Sequence, residues 1–378
     1  MGVGDWRGHR HRYAGRTLLC VLALYWIVRL AGTTSGATAL WGINPAAYLP
    51  GWFAWATWGL LAAALVPPIG AALTRGLERV GRQYETPSNR ALLWLFAAVA
   101  VGILCLPDRV GFTGDSLLRL SSAKASGSPA AIFPQALPLD LWLHITMPHE
   151  IARLRIAPVE VTSRVLDALE AGCLALLVVT LVRRSGARGA TLASASLVIL
   201  AGGSLAIFTG LSKAFTELVV LAAALTVSTF PGPSSFGRVL STLAMFAIAL
   251  ALHRAALILT PVVVFGLAGW LRTSARREPP IKRWVVATML LVGVVLAWKA
   301  FVPIASLDLP RGLVWPLQRS SSDALGIRMF DLANLVVFLV PSVVLVPAML
   351  FDSRVRDGLR GPRGWWCACI AIPSALLI

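Results

Sequence analysis

The feature that most constrains this chain is a run of apolar stretches, each long enough to cross about 30 Å of hydrocarbon, with short basic clusters between them. Eleven such stretches are predicted as membrane-spanning helices, at about 17–31, 52–73, 91–107, 165–182, 190–208, 214–230, 236–252, 255–271, 284–304, 331–351 and 365–378. Only 13% of the residues are charged, about half of what a soluble surface needs. The expectation is therefore an all-α integral membrane protein forming one polytopic domain over residues 1–378, in which lipid covers most of the surface.

The charge pattern orients the chain. With the N-terminus on the cytoplasmic side, the inward segments hold Arg7, Arg10, Arg12 and Arg16; Arg75, Arg79, Arg82 and Arg90; Arg183, Arg184 and Arg188; Arg238; Arg272, Arg276, Arg277, Lys282 and Arg283; and Arg354, Arg356, Arg360 and Arg363. These are 21 of the 34 basic residues, against 6 of the 17 acidic ones, which is the positive-inside pattern. The formal net charge of +17 is thus topological, and a nucleic-acid partner is not expected. A break is needed near His253, because one helix over 236–271 would be about 54 Å long and would carry the clusters at 272–283 and 354–363 to the wrong side. The basic N-terminus reads as an uncleaved first helix interrupted by Arg29 rather than a signal peptide. The apolar run that stops at Ile378 is consistent with a fragment of a longer protein. An inner (plasma) membrane location follows from the same pattern.

The cysteines Cys20, Cys105, Cys173, Cys367 and Cys369 lie in or beside apolar segments without a metal or redox spacing. His144, His149 and Glu150 follow no usual zinc pattern, and Pro148 is expected to interrupt the helix between the two histidines. No metal ligands are assigned, and a divalent-cation requirement stays open.

The non-cytoplasmic loop 108–164 is the richest segment. Asp115 follows Gly114 just beyond the third stretch, where partial desolvation suits a carboxylate to proton abstraction; capping the turn Ser116-Leu117-Leu118-Arg119 is the alternative role. Pro134 to Trp142 leads into an amphipathic juxtamembrane helix ending near Ala152. Lys213 and Glu217 fall four residues apart at the start of the sixth stretch, and His253-Arg254 marks the junction of the seventh and eighth. Asp167 and Glu170 fall three apart at the outer turn of the fourth. The predicted topology puts Asp115, Arg119, Lys213, Glu217, His253 and Arg254 in one leaflet. Helix-to-helix ion pairing would explain such a set, and so would a functional site. Arg254, Lys213 or Arg119 could hold a lipid phosphate, and Asp115 could take a proton from an acceptor hydroxyl.

Gly114-Asp115-Ser116, the turn Phe133-Pro134-Gln135-Ala136-Leu137-Pro138, the segment Ser212-Lys213-Ala214-Phe215-Thr216-Glu217 and the segment His253-Arg254-Ala255-Ala256-Leu257-Ile258-Leu259-Thr260-Pro261 together resemble the multi-pass GT-C glycosyltransferases. The likeness covers roughly residues 91–271. It implies a sugar donor carried on a polyprenyl phosphate, Asp115 as catalytic base and Arg254 as a phosphate contact; Arg119, Lys213, Glu217 and His253 are substrate-binding candidates from their shared leaflet alone. Two departures stand out: the acidic loop follows the third stretch rather than the first, and Ser116 replaces the second acid of the family's acidic pair. A transporter or flippase is the alternative, and so is another cell-envelope polymerase or ligase working through Arg311, Arg319 and Arg328 in the loop 305–330.

Overall fold

The computed structural model describes residues 51–64, 66–106, 138–201, 214–230, 235–273 and 279–307, with isolated positions between 23 and 31 and at 205 and 208. All regular structure in these residues is helical. The helices are α1 (Gly51–Ala64), α2 (Pro67–Glu85), α3 (Asn89–Cys105), α4 (Pro138–Leu141), a π-helical turn (Trp142–Thr146), α5 (Met147–Arg153), α6 (Val159–Arg184), α7 (Gly189–Ala201), α8 (Ala214–Thr229), α9 (Phe236–Leu252), a 3-10 turn (Arg254–Leu259), α10 (Thr260–Thr273) and α11 (Pro280–Leu307). The expected stretches at 17–31, 331–351 and 365–378 lie wholly or mostly outside the described residues.

Among the described residues, one helix, α6, is long and apolar enough to cross a membrane, and a second crossing is available if α1 and α2 count together as one sharply bent span. Several of the remaining helices are apolar but shorter. The bend between α1 and α2 falls where Pro67-Pro68 forbids continuation of a straight helix; the sequence pattern had run one stretch straight through it.

Local chemistry sets the other boundaries. Ser88 caps α3 by accepting the Ala91 N–H at 3.2 Å, and Ser235 caps α9 by accepting that of Arg238 at 3.3 Å. The break expected at His253 is present: α9 stops at Leu252, and His253 takes an extended backbone (φ −149°, ψ 139°) before the 3-10 turn. No glycine or proline makes this break. The Thr260 hydroxyl donates to the Leu257 carbonyl within the tight turn.

Two apolar cores share one wall. Ala168, Ala171, Leu174, Ala175, Val178 and Val182 of α6 pack with Ala100 and Ile103 of α3 and Leu192 and Leu200 of α7. Leu225 of α8 packs with Leu243, Phe246 and Leu250 of α9 and with Val262, Leu267 and Trp270 of α10. Helix α8 faces both, since Val219, Val220 and Ala223 lie against the first core and Leu218 and Leu225 against the second.

The bundle has two chemically different ends. At one, Arg184 from the end of α6 donates to the Val227 carbonyl of α8, and Arg238 from the start of α9 donates to the carbonyls of Ser228 and Phe230. These guanidiniums satisfy the last carbonyls of α8 and oppose its dipole. At the other end, Arg164 near the start of α6 donates to the carbonyls of Leu104 and Leu106, at 2.9 and 3.0 Å, where α3 finishes. This second end holds the buried acidic groups.

Candidate functional site

Helices α4 and α5 and the π turn between them form one continuous rod that leans on α9 through α4 and on α6 through α5. The expectation that Pro148 would break this helix is corrected by the structure. Pro148 sits in the first turn of α5, and the preceding turn is π-helical, with the Met147 N–H reaching back to the Trp142 carbonyl. The widened turn relieves the missing proline N–H and the ring's crowding.

That turn carries His144 into the bundle. Asp140 precedes it by four residues, so both fall on one helix face. His144 Nδ1 lies 2.7 Å from Asp140 Oδ1 and 3.2 Å from the Asp140 carbonyl. Its Nε2 lies 2.8 Å from Oε1 of Glu217, in the first turn of α8, close but poorly aligned for a directed hydrogen bond. The three side chains are 1%, 0% and 10% exposed, so no bulk water separates them. Thr216 donates to Glu217 Oε2 at 3.3 Å.

From α6, Glu170 stands beside Glu217, and Asp167 stands near enough to Glu170 to act on it through its charge. Both are buried, and Glu170 interacts with Glu217 and Thr216 of α8. The sequence pattern set Asp167 and Glu170 in the outermost turn. Instead α6 starts at Val159, directly after Pro158, which puts the pair two to three turns inside the helix. Four carboxyl groups and one imidazole are thus gathered from three separate parts of the chain.

Of the residues singled out from sequence, the structure brings Glu217, His144, Asp167 and Glu170 into this cluster. Asp115, Arg119 and Lys213 lie outside the described residues, as do Arg311, Arg319 and Arg328. His253 caps the end of α9, the helix on which α4 leans, with its N–H bonded to the Ala249 carbonyl. Arg254 opens the 3-10 turn, and its side chain lies outside the described set. His149 is exposed and bonded to the Ile145 carbonyl, while Glu150 pairs with Arg153 at 2.7 Å. Among the described residues no group of three or more His, Cys, Asp or Glu side chains is arranged to hold a metal ion.

Sequence reasoning missed Asp140 and weighed His144 only as a metal ligand. The available signal was the i, i+4 spacing of an acid and a histidine in an otherwise apolar helix. In comparisons with known proteins, no family model, curated relative or solved structure matches the chain.

Proposed function

We propose that this protein is a multi-pass membrane glycosyltransferase that moves a sugar from a polyprenyl-phosphate carrier to an acceptor hydroxyl at the outer leaflet. The observation that carries the reading is the docking of the 138–153 helix through His144 onto Glu217. It ties the helix that follows the Asp115 stretch in sequence to the end of the bundle where α6 and α8 begin and α9 finishes. His253 and Arg254 follow the end of α9 there, and Lys213 directly precedes α8 in sequence.

Surface chemistry supports a bilayer as partner. Trp52, Trp55, Trp94, Trp142 and Trp284 are all more than half exposed, beside many exposed leucines and valines. Under the orientation set by the arginines, Trp52, Trp55 and Trp142 fall at the outer interface and Trp94 and Trp284 at the inner one, as aromatic belts do.

In this reaction the acceptor O–H gives its proton to the Asp115 carboxylate as the oxygen bonds to the anomeric carbon. The bond from that carbon to the phosphate oxygen breaks, and the lipid phosphate leaves as an anion. Arg254, with Lys213 or Arg119, would oppose its charge. The test is sugar transfer from a polyprenyl-phosphate donor in proteoliposomes. Asp115→Asn should lower turnover by roughly 10²- to 10⁴-fold, the usual share of a general base; unchanged turnover would rule out this mechanism.

A second reading, proton-coupled transport, is favoured by the depth of Asp167 and Glu170 within an apolar helix, since buried ionisable groups in membrane helices commonly relay protons. Substrate uptake driven by a pH gradient without sugar transfer would select it.

A further inference from the structure

Two nitrogen-to-oxygen contacts meet on one imidazole ring, 2.7 Å from Nδ1 to Asp140 Oδ1 and 2.8 Å from Nε2 to Glu217 Oε1. A neutral imidazole offers one N–H and one lone pair, whereas an ionised carboxylate offers lone pairs only. Two such contacts require two protons, and the neutral ring supplies one. The second proton must sit on the ring, making imidazolium, or on one of the two carboxyl groups. We infer that Asp140, His144 and Glu217 form a binding site for a single proton, and that its occupancy holds the 138–153 helix on α8.

Losing that proton leaves a nitrogen lone pair facing a carboxylate, or two carboxylates competing for one N–H. With side chains no more than 10% exposed, water cannot enter to relieve the contact without moving a helix. The poor alignment at Nε2 fits attraction between imidazolium and carboxylate better than a directed neutral hydrogen bond. The site joins two elements far apart in sequence, so the response to deprotonation is separation of the 138–153 helix from α8. A π turn at this point matches the frequent placement of such turns at functional positions.

Other titratable groups surround the ring on the packed elements. From α6 come Asp167 and Glu170, and from α8 Glu217 with the Thr216 hydroxyl. On the rod itself His149 is bonded to a carbonyl and Glu150 is paired with Arg153. Arg164 is engaged by the carbonyls that end α3. At the end of α9 stands His253, followed by Arg254. Among the described residues, the groups that α6 and α8 bring to the cluster are acidic.

The inference does not rest on glycosyl transfer, and its test uses no sugar donor. Hydrogen–deuterium exchange is followed on the 138–153 peptide of the full-length protein in lipid nanodiscs from about pH 5 to pH 9, the range in which a histidine site titrates, after correction for intrinsic exchange. Protection should fall about tenfold per pH unit above the midpoint, as linkage to one proton requires. Glu217→Gln brings its own N–H to Nε2, so its protection should be flat with pH. A flat profile in the wild type, or a sloped one in Glu217→Gln, overturns the inference. Should that variant lose protection throughout α6, ¹⁵N-histidine NMR of the wild type decides. The Nε2 signal of His144 should change in the same pH step that releases the helix, and an unchanged signal across that step is the contrary result.

Discussion

Gly81 of α2 lies directly beneath Gly189, so that a β-carbon on Gly81 would overlap the Gly189 carbonyl. Gly189 itself has φ +49° and opens α7, with Glu78 and Glu85 of α2 accepting the N–H groups of Ala190 and Gly189 at 2.6 and 2.8 Å. Two helices thus meet backbone to backbone, with carboxylates covering the free N–H groups of the helix start. Gly81→Ala should part them and destabilise the fold by about 1–3 kcal/mol, the usual cost of overpacking. Thermal unfolding in detergent would show it as a lowered Tm, and an unchanged Tm would mean the close approach is absent.

The same junction should be acid-sensitive. The hydrogen bond from Arg82, then that from the Ala190 N–H, holds the Glu78 carboxyl below its ordinary pKa. A carboxylate with a depressed folded-state pKa contributes stability that is fully present above its unfolded pKa and is lost as pH falls through the folded value. The wild type should therefore lose some Tm in acid that Glu78→Gln has already lost at neutral pH. The half-exposed position makes the effect small and salt-sensitive, so parallel Tm–pH curves for the two proteins would count against it.

At the opposite end, Arg164 answers the last carbonyls of α3 at Leu104 and Leu106. Replacing Arg164 by Met keeps much of the stem and removes the donors. Two hydrogen bonds from a charged group are lost, and the α3–α6 contact should weaken by about 1.5–3 kcal/mol. Faster exchange confined to the C-terminal turn of α3 is the expected signature. Global unfolding instead would show that the arginine holds more than a helix end.

How much of this was legible beforehand differs by element. Helix existence follows from the apolar pattern: the run over 236–252 marks α9, and its end at Leu252 was forced by bilayer thickness and charge parity rather than by any breaker residue. Boundaries set by proline geometry were harder. Pro158 pushes the start of α6 outward and buries Asp167 and Glu170 more deeply, while Pro148 is absorbed by a π turn that no local rule demanded. The Glu217 position was legible because an acid opening an apolar helix is conspicuous. Its neighbour His144 was not, because their meeting depends on how a loop helix docks across about seventy residues of intervening chain.

Gly172 on α6 makes room for Phe96 on α3: a β-carbon there would lie 2.7 Å from the ring's Cδ2. Gly172→Ala should destabilise the first core, and pairing it with Phe96→Leu should recover part of the loss because the smaller side chain vacates that volume. A double-mutant cycle with coupling of about 0.5–3 kcal/mol is expected for residues in direct contact. Additive losses would mean that the two helices shift apart rather than interlock.

The functional reading depends on which bundle end faces which side of the membrane, and two exposed positions test it directly. In a chain whose five cysteines are replaced by serine, a single cysteine at His149 reports the end with the buried acids, and one at Arg188 reports the end with the arginines that close α8. A membrane-impermeant thiol reagent applied to intact cells should label the first and reach the second only after permeabilisation. Lys and Arg near helix ends resist translocation, so opposite labelling would contradict the charge rule across several clusters at once. Labelling of both positions from outside would remove the bilayer between them. Either result would leave Asp115 and the His144 cluster without the outer-leaflet setting that a lipid-linked sugar donor requires.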